Sequence, residues 1–301
     1  MNRRFSDSDM LLTQAEKGRA ESLSLFKVHD SMLGIIYSSS DAASENMGRH
    51  MVESHVAESV RTVEKYTVYQ GKDISICRIG SPLTNADFID SMGFSTAVFL
   101  SKHQSSAGIA SFTTHPMGNW GSSADLGGRP KSLSVAAPAL MLQVLGAINA
   151  VPSETVEKTY EVTHHGPLLD TPSLFVELGG NAPVIKNAGL ARKLADAVYG
   201  SLANGSSEAC DKVVIGIGSR HYPSKFTALA LGKGYAFSHM LPSHMIYNKD
   251  GSDNLDMLKH AAERSEPHAD CAVIEWKGLR SSEREKVIHK LNEIGMDYER
   301  I

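Results

Sequence analysis

Cysteine is scarce in this chain. Its 301 residues include three, Cys77, Cys210 and Cys271, which lie far apart and form no Cys-x-x-Cys pair. This usage excludes a disulfide framework and a zinc ribbon, and it is typical of reduced thiols in a cytosolic protein. We therefore expect a cytoplasmic location.

Long apolar segments are also missing. No run approaches the roughly 20 residues that a membrane-spanning helix needs, so we expect no membrane partner. The N-terminal residues have arginines near their start but lack the sustained apolar stretch and small-residue cleavage site of a signal peptide. Residues 1–30 are polar and weakly patterned, and we expect them to form an extension outside the core.

The chain has no excess of positive charge. With 30 Lys and Arg against 34 Asp and Glu, its net charge is −4 and its pI is about 6.3. This balance disfavours indiscriminate nucleic-acid binding, but it leaves open a local basic patch on an acidic protein. We expect such a patch from five residues beside the candidate site segments: Lys102, Arg129, Lys131, Arg220 and Lys225.

Several catalytic signatures are absent as well. There is no Gly-x-Ser-x-Gly elbow to present a nucleophilic serine. Histidine together with Glu161, Glu177 and Asp170 would suit zinc, but no His-Glu-x-x-His, His-x-His or His-x-x-x-His spacing fixes two ligands on one element. The segment Gly216–His221 (GIGSRH) has His where the dinucleotide fingerprint needs its third Gly, which argues against a Rossmann cofactor site.

Strand-like and helix-like segments mix throughout residues 31–301, with no repeat or low-complexity linker. We predict a single α/β domain with helices on both faces of a mixed sheet. The predicted strands are Met32–Tyr37, Ile74–Ile79, Ala97–Leu100, Gly108–Thr114, Tyr160–Thr163, Ser173–Leu178, Lys212–Ile217 and Cys271–Trp276. The predicted helices are a segment ending near Glu58, Ser134–Ala150, Ala188–Tyr199, a short one within Pro223–Leu231, and Ser281–Ile294.

Histidine is the residue type in unusual supply, with 13 in the chain. Four segments share one design, a strand-like run followed by His beside Ser, Gly or Pro, and they contain His103, His115, the pair His164 and His165, and His221. Ligands gather at strand ends in α/β folds, so all of these could line one cleft. The alternative is that each is an ordinary hydrogen-bonded structural residue.

The adjacent pair raises a separate question. His164 and His165 lie in Tyr160–Pro167 (YEVTHHGP), where strand-favouring residues end at Gly-Pro. Neighbouring side chains on a strand point to opposite faces. Unless the backbone turns between them, we expect one ring to face the cleft and the other to secure the strand end by hydrogen bonds.

Together these segments resemble the archaeal and plant class of D-aminoacyl-tRNA deacylase. The similarity covers roughly residues 32–300, with the same order and spacing. Residues 181–187 (NAPVIKN) depart from a tryptophan-containing acidic segment that is frequent in the family. The motifs that carry the resemblance are SKH (Ser101–His103), THPMGN (Thr114–Asn119), AAPALM (Ala136–Met141), THHGP with FVELGG (Thr163–Gly180) and GIGSRHYPSKFT (Gly216–Thr227).

The resemblance implies a three-layer α/β/α, phosphorylase/hydrolase-like fold related to peptidyl-tRNA hydrolase. It also implies hydrolysis of the ester between a D-amino acid and the terminal ribose of tRNA, with zinc as cofactor and two ions per subunit. We expect a monomer. The expected catalytic residues are His115, His164, His165 and His221, and the expected zinc ligands are His103, His115, His164 and Glu161. The expected substrate-binding residues are Lys102, His103, Asn119, Trp120, Gly166, Gly218, Tyr222 and Lys225.

The residue types suit ester hydrolysis. Histidine can act as a general base and acid or hold a water-activating zinc ion, and backbone amides of the Gly-rich loop from His115 to Lys131 can stabilise an oxyanion. Trp120 or Tyr222 could stack on the terminal adenine, although ordinary packing would also account for either. Two other functions remain open: a zinc-dependent aminopeptidase or amidase, and a non-catalytic protein that binds the acceptor end of tRNA.

Overall fold

The computed structural model describes residues 32–55, 59–63, 65–105, 108–205 and 210–301. The expected N-terminal extension, residues 1–30, lies outside these ranges. The strands are β1 (Leu33–Ser38), β2 (Ser59–Val63), β3 (Tyr66–Gln70), β4 (Ile74–Ile79), β5 (Thr96–Gln104), β6 (Ala110–His115), β7 (Gly118–Asn119), β8 (Ser132–Leu133), β9 (Val156–Tyr160), β10 (Ser173–Gly180), β11 (Lys212–Ser219), β12 (Tyr235–Pro242), β13 (Cys271–Ile274) and β14 (Asp297–Arg300).

The helices connect these strands. They are α1 (Ala42–His55), α2 (Pro138–Ala150), α3 (Ala182–Ile185), α4 (Ala188–Ala203), α5 (Ser224–Lys233), α6 (Met257–Glu263) and α7 (Ser281–Glu293). Short 3₁₀ segments occur at Leu83–Asn85, Asp87–Met92, Ser243–Met245 and Trp276–Gly278. Among the described helices, none combines the length and the hydropathy that crossing a bilayer requires.

The larger sheet has eight strands in the order β2-β3-β4-β1-β5-β10-β6-β9. Strands β4, β1, β5 and β10 run parallel, whereas β6 runs antiparallel to β10. Strand β10 is buried at every position, as its nearly continuous apolar run predicts for a central parallel strand. The smaller sheet contains four parallel strands in the order β12-β11-β13-β14.

Two layers cover the larger sheet. One face packs against α1, α2 and α4, and this core continues into the smaller sheet through Phe237 and Val273. The other face carries Phe99 and Phe175 and is covered by residues of the 3₁₀ segments, including Ile89. The observed architecture is a mixed α/β fold with a large mixed sheet flanked by helices, which confirms the predicted fold class.

Strand register places three polar side chains on the second face. Glu177 of β10 pairs with Ser101 of β5, and Phe175 pairs with His115 of β6. Residues two apart on a strand share a face, so His103 and His115 point to the same side as Glu177. The functional site is built on this side of the sheet.

Some elements differ from those predicted. The strand that was expected to reach Thr163 ends at Tyr160, and the helix expected from Ser134 begins at Pro138, whose fixed φ suits a first helical position. Strands β2, β3, β7, β8, β12 and β14 and helices α3 and α6 were not predicted. The sequence does not predict β12 because the buried polar residues Ser238 and His239 interrupt its apolar pattern.

Candidate active site

The segment after β9 forms the centre of the site. Because β9 ends at Tyr160, the histidine pair does not lie on a strand. His165 has a φ of 41°, in the left-handed region, so the backbone turns between His164 and His165. Their ring centroids are 4.4 Å apart and both line one cavity. The expectation that only one of them faces the cleft is therefore wrong, because the turn removes strand alternation.

Backbone carbonyls orient three of the imidazoles. Nδ1 of His164 lies 2.8 Å from the carbonyl oxygen of Val162. Nδ1 of His165 and of His115 lies 2.6 Å and 3.1 Å, respectively, from the carbonyl oxygen of the following residue. A carbonyl oxygen only accepts, so each Nδ1 donates a proton, and each ring in its neutral form presents the lone pair of Nε2 to the site. This is the tautomer that a metal-binding histidine requires.

Two buried carboxylates lie among the histidines. Oε2 of Glu161 is 2.8 Å from Nε2 of His221 and 3.0 Å from Nδ1 of His103. Oε2 of Glu177 is 3.5 Å from the same nitrogen of His103, and its Oε1 is 3.8 Å from Nε2 of His115. We call the following seven residues the histidine–carboxylate cluster: His103, His115, Glu161, His164, His165, Glu177 and His221.

Both carboxylates are ionised. Burial alone would raise the pKa of Glu161, but hydrogen bonds from His103 and His221 outweigh it and hold the pKa well below its usual range. Burial likewise opposes ionisation of Glu177, yet interactions with His103 and His115 lower its pKa to about 2. Both carboxylates therefore have the deprotonated form that a metal ligand needs.

The histidines divide into two electrostatic groups. Burial and the neighbouring imidazole of His115 lower the pKa of His164, and the same two causes lower the pKa of His165 to about 4. Burial also opposes protonation of His103 and His115, but the carboxylates prevail: they raise the pKa of His115 and bring that of His103 to about 10. These pKa shifts thus favour the neutral form of His164 and His165.

The donor atoms suit zinc. Nε2 of His115 and Oε1 of Glu161 are buried and have no hydrogen-bond partner among the described residues, which is costly unless a ligand satisfies them. Nitrogen and carboxylate oxygen are ligands that zinc prefers. Three overlapping sets have ligand atoms within 4.8 Å of one another: His103, Glu161, His164 and His221; His115, His164 and His165; and His115, Glu161, His164 and Glu177.

The cluster separates two lobes of a cleft. The larger lobe has a volume of about 630 Å³, within the range that holds small ligands, and Asp41, Lys102 and Leu126 help to line it. The smaller lobe, about 160 Å³, is bounded by Trp120 and Met245 among others. His164, His165 and His221 line both lobes, so a bound substrate could extend from one lobe to the other across the cluster.

A buried histidine outside the cluster fixes the segment that carries the pair. Nε2 of His239 lies 3.0 Å from the carbonyl oxygens of Ser134 and Arg264, so it donates, and Nδ1 accepts from the Thr163 hydroxyl at 3.2 Å. The same hydroxyl accepts from the amide of Met240 at 2.9 Å. Thr163 immediately precedes His164, so His239 acts as a positioning residue.

Acid should weaken this support. Burial lowers the pKa of His239 to about 4, so the folded protein keeps this ring neutral while the unfolded chain takes up a proton near pH 6.5. As pH falls from about 6.5 to 4, the stability that His239 contributes should decline, by up to about 3 kcal/mol. The check is chemical denaturation of metal-free wild type and His239→Asn, whose difference in unfolding free energy should shrink over this window. A difference that stays constant would contradict the assignment.

The remaining substrate-binding candidates occupy different places. Tyr222 and Lys102 lie beside the cluster, with the Tyr222 ring 5.1 Å from that of His221. Asn119 donates from its amide nitrogen to the Gly127 carbonyl at 2.9 Å and so holds the Gly-rich loop. Trp120 is 2 % exposed and packs in the core beneath the smaller lobe, as the packing alternative anticipated.

Three other candidates are engaged outside the cluster. A side chain on Gly218 would meet Leu279 at 2.7 Å, so this glycine permits a close packing contact. Lys225 pairs with Glu275 at 3.6 Å. Asp170, considered as a zinc donor, instead pairs with Arg264 at 2.7 Å on the surface, and the structure does not bring it to the cluster.

Gly166 is placed against the Gly-rich loop. A Cβ at this position would lie 2.2 Å from the amide nitrogen of Gly128, a backbone atom that cannot move aside cheaply. We expect Gly166→Ala to lower the unfolding free energy by about 1–3 kcal/mol and to displace His165. Gly146→Ala on α2, where no heavy atom lies within 4 Å of the added carbon, is the matched control and should be neutral or stabilising. Equal thermal stability of the two variants would contradict this prediction.

Two acidic residues of the site were not predicted as site residues. Glu177 was recognised as a potential zinc donor but not placed in the site, although an acid within the apolar run Ser173–Gly180 is the signal that could have identified it. Asp41 was missed: it caps α1 through the amide of Ser44 and accepts from the backbone nitrogen of Lys102 at 3.0 Å. It thereby connects two walls of the larger lobe.

Comparison with known proteins places the chain in a family. The sequence profile described as D-aminoacyl-tRNA deacylase matches residues 91–299. The D-aminoacyl-tRNA deacylase of Pyrococcus furiosus is 31% identical and covers 86% of this chain and 96% of its own length. That of Desulfurococcus amylolyticus is 32% identical, with coverage of 84% and 94%.

A solved structure has a similar fold. A crystal structure of a conserved protein of unknown function is 26% identical, with a TM-score of 0.80, and the match covers 91% of this chain and 96% of that one. The matched family profile includes every member of the histidine–carboxylate cluster. The chain belongs to the D-aminoacyl-tRNA deacylase family.

Proposed function

We propose that this chain hydrolyses the ester bond of D-aminoacyl-tRNA at the histidine–carboxylate cluster, releasing free D-amino acid and tRNA. Membership of the family supports the reaction. The observation that best supports the location is the convergence of ligand nitrogens from His115, His164 and His165 within 4.8 Å of one another in a cleft. Removal of D-amino acids from tRNA would serve proofreading in translation.

We propose zinc as the cofactor, with His115, His164 and His165 as one ligand set. The backbone hydrogen bonds at Nδ1 support this choice, because they leave Nε2 of each ring directed into the site. His103 and the unpartnered Oε1 of Glu161 would help to hold a second ion, since Nε2 of His164 can serve only one. When bound, zinc supplies a water of lowered pKa and polarises a carbonyl oxygen.

Side chains of the cluster would supply the proton that the leaving group needs. Ester cleavage leaves an oxygen on the terminal ribose that must be protonated. The side chain of His221 is 37% exposed at the cleft, and its Nε2 contacts Glu161 at 2.8 Å. We propose His221 as the proton carrier and Glu161 as the group that orients it. Lys102, which lines the larger lobe, would bind a phosphate of the tRNA terminus.

Selection for the D-enantiomer would come from the rigid walls of the smaller lobe. Gly118 and Asn119 line it together with His165, and the Gly-rich loop is held by the Asn119 amide. Discrimination between enantiomers needs a clash or a lost hydrogen bond, which a rigid wall supplies.

We further propose a cytoplasmic monomer whose macromolecular partner is tRNA. The cysteines Cys77, Cys210 and Cys271 are free thiols, which agrees with a reducing compartment.

A substrate panel tests this proposal. Wild-type protein would be incubated with D-tyrosyl-tRNA and, separately, with D- and L-dipeptides, and its tRNA affinity would be measured. We expect turnover of the tRNA ester and none of the peptides. Hydrolysis of dipeptides alone would establish an aminopeptidase or amidase, and tRNA binding without turnover would establish a binding protein; either result would overturn the proposal.

A further inference from the structure

A basic and aromatic surface lies on the smaller sheet, outside the cleft. All four of its strands are parallel, so β11, β13 and β14 end at one edge. Strand β11 leads into His221 of the cluster, whereas β13 and β14 lead into this second surface. We call it the Trp276 surface and define it by Trp276, Lys277, Arg280, Arg284 and Arg300.

Close backbone packing makes this surface continuous with the site. A Cβ on Gly278 would lie 1.8 Å from the Gly218 carbonyl oxygen, so only glycine allows the 3₁₀ segment to approach β11 so closely. The amide of Glu275 donates to the Ile217 carbonyl at 2.9 Å. These contacts fix the Trp276 surface beside the chain that reaches His221 three residues after Gly218.

The surface is organised for a flat anionic partner. The guanidinium groups of Arg284 and Arg300 lie 4.8 Å and 4.3 Å from the centroid of the Trp276 ring, and Nε of Arg284 donates to the Trp276 carbonyl at 2.9 Å. Lys277 and Arg280 are exposed beside them. Stacked arginines present their N–H groups at fixed positions, which suits phosphate recognition.

The adjoining acids offset this charge only in part. Glu275 pairs with Lys225 at 3.6 Å. Glu283 is largely buried; it accepts from the backbone nitrogen of Arg280 at 2.7 Å and lies 3.8 Å from Nε of the same residue. The basic patch expected from sequence is weaker by comparison, because Lys131 pairs with Asp256 at 3.1 Å and Lys225 is the partner of Glu275. In a chain of net charge −4, the Trp276 surface is a local concentration of positive charge.

We propose that the Trp276 surface binds the phosphate backbone of the acceptor end of tRNA while the terminal nucleotide occupies the cleft. This inference rests on the proposed function. Strand β14 lies two strand spacings, about 10 Å, from β11. That distance corresponds to about three nucleotides along a duplex strand. The surface therefore contacts the phosphates that immediately precede the reacting nucleotide, and it contributes affinity independent of the amino acid.

The test uses a triple variant, Lys277→Gln/Arg280→Gln/Arg300→Gln, in the full-length protein. The matched control is Lys72→Gln/Lys193→Gln/Lys233→Gln, which removes the same number of positive charges far from the Trp276 surface. Lys193 lies on α4, and Lys72 and Lys233 precede β4 and β12 by two residues, at the amino ends of these strands. Two esters would be compared, D-tyrosyl-tRNA and D-tyrosyl-adenosine, which lacks the stem. Thermal melting would establish that both variants fold.

We expect the triple variant to raise KM for D-tyrosyl-tRNA at least about tenfold near 0.1 M salt and to reduce the salt slope of tRNA affinity by about 2–3. Hydrolysis of D-tyrosyl-adenosine and the control variant should match wild type. An unchanged KM and slope would overturn the inference, as would an equal loss on both esters. If wild type hydrolysed neither ester, affinity for uncharged tRNA would still decide: weaker binding by the triple variant alone supports the surface, and equal binding overturns it.

Discussion

Replacement of His164 by alanine is expected to reduce the turnover of D-aminoacyl-tRNA by roughly 10²–10⁴-fold while tRNA affinity changes little. His164 belongs to all three sets of converging donor atoms, and its ring is 4.1 Å from that of His115 and 4.9 Å from that of His221. Its loss therefore removes the residue that joins the two halves of the cluster. Single-turnover deacylation and filter binding of tRNA measure the two quantities separately.

The control for this variant is His289→Ala. His289 is also a histidine, but it is exposed on α7, outside the histidine–carboxylate cluster. It should retain wild-type turnover. A His164→Ala protein that folds and deacylates at the wild-type rate would show that the cluster is structural, and the catalytic assignment would fail.

Removal of zinc is expected to bring deacylation close to the uncatalysed rate, and added zinc should restore it. The physical reason is that the buried Nε2 of His115 and Oε1 of Glu161 have no hydrogen-bond partner among the described residues, so both atoms are available to a metal ion. Metal analysis of wild type should find two ions. The variant His165→Ala should lose one ion, because His165 occurs in only one of the three donor sets of the described residues, the set with His115 and His164.

His244→Ala is the matched control for metal content. His244 lines the smaller lobe but belongs to none of the converging donor sets of the described residues, so this variant should keep both ions. Zinc-free protein with full deacylation activity would refute the zinc proposal. Equal metal content in His165→Ala and wild type would refute the assignment of His165 as a ligand.

Much of the fold follows from local sequence patterns. The apolar run of β10 predicts a buried central strand, and α4 and α7 follow their helical periodicity closely. Strands β2 and β3 have no such apolar run, because β2 forms the edge of the sheet and exposes its described side chains, and β3, next to it, buries only one side chain fully. Their pairing depends on β4, which local patterns do not reveal.

The sequence predicts which histidines form the site better than it predicts how they are arranged. Four histidine segments were expected to converge, and the structure brings His103, His115, His164, His165 and His221 together. Their arrangement depends on register and on one dihedral angle: the φ of 41° at His165 turns a ring that strand alternation would have directed away. Glu177 reaches the cluster through strand pairing, which a sequence does not display.

The measurement that tests the central claim most directly is a comparison of matched D- and L-tyrosyl-tRNA as substrates of wild type and of the His→Ala variants at 103, 115, 164, 165 and 221. We expect wild type to hydrolyse the D-ester much faster than the L-ester, and we expect the variants to lose the D-specific rate while they still bind tRNA. Equal hydrolysis of both enantiomers by wild type, or near-normal D-deacylation by all five variants, would contradict the account.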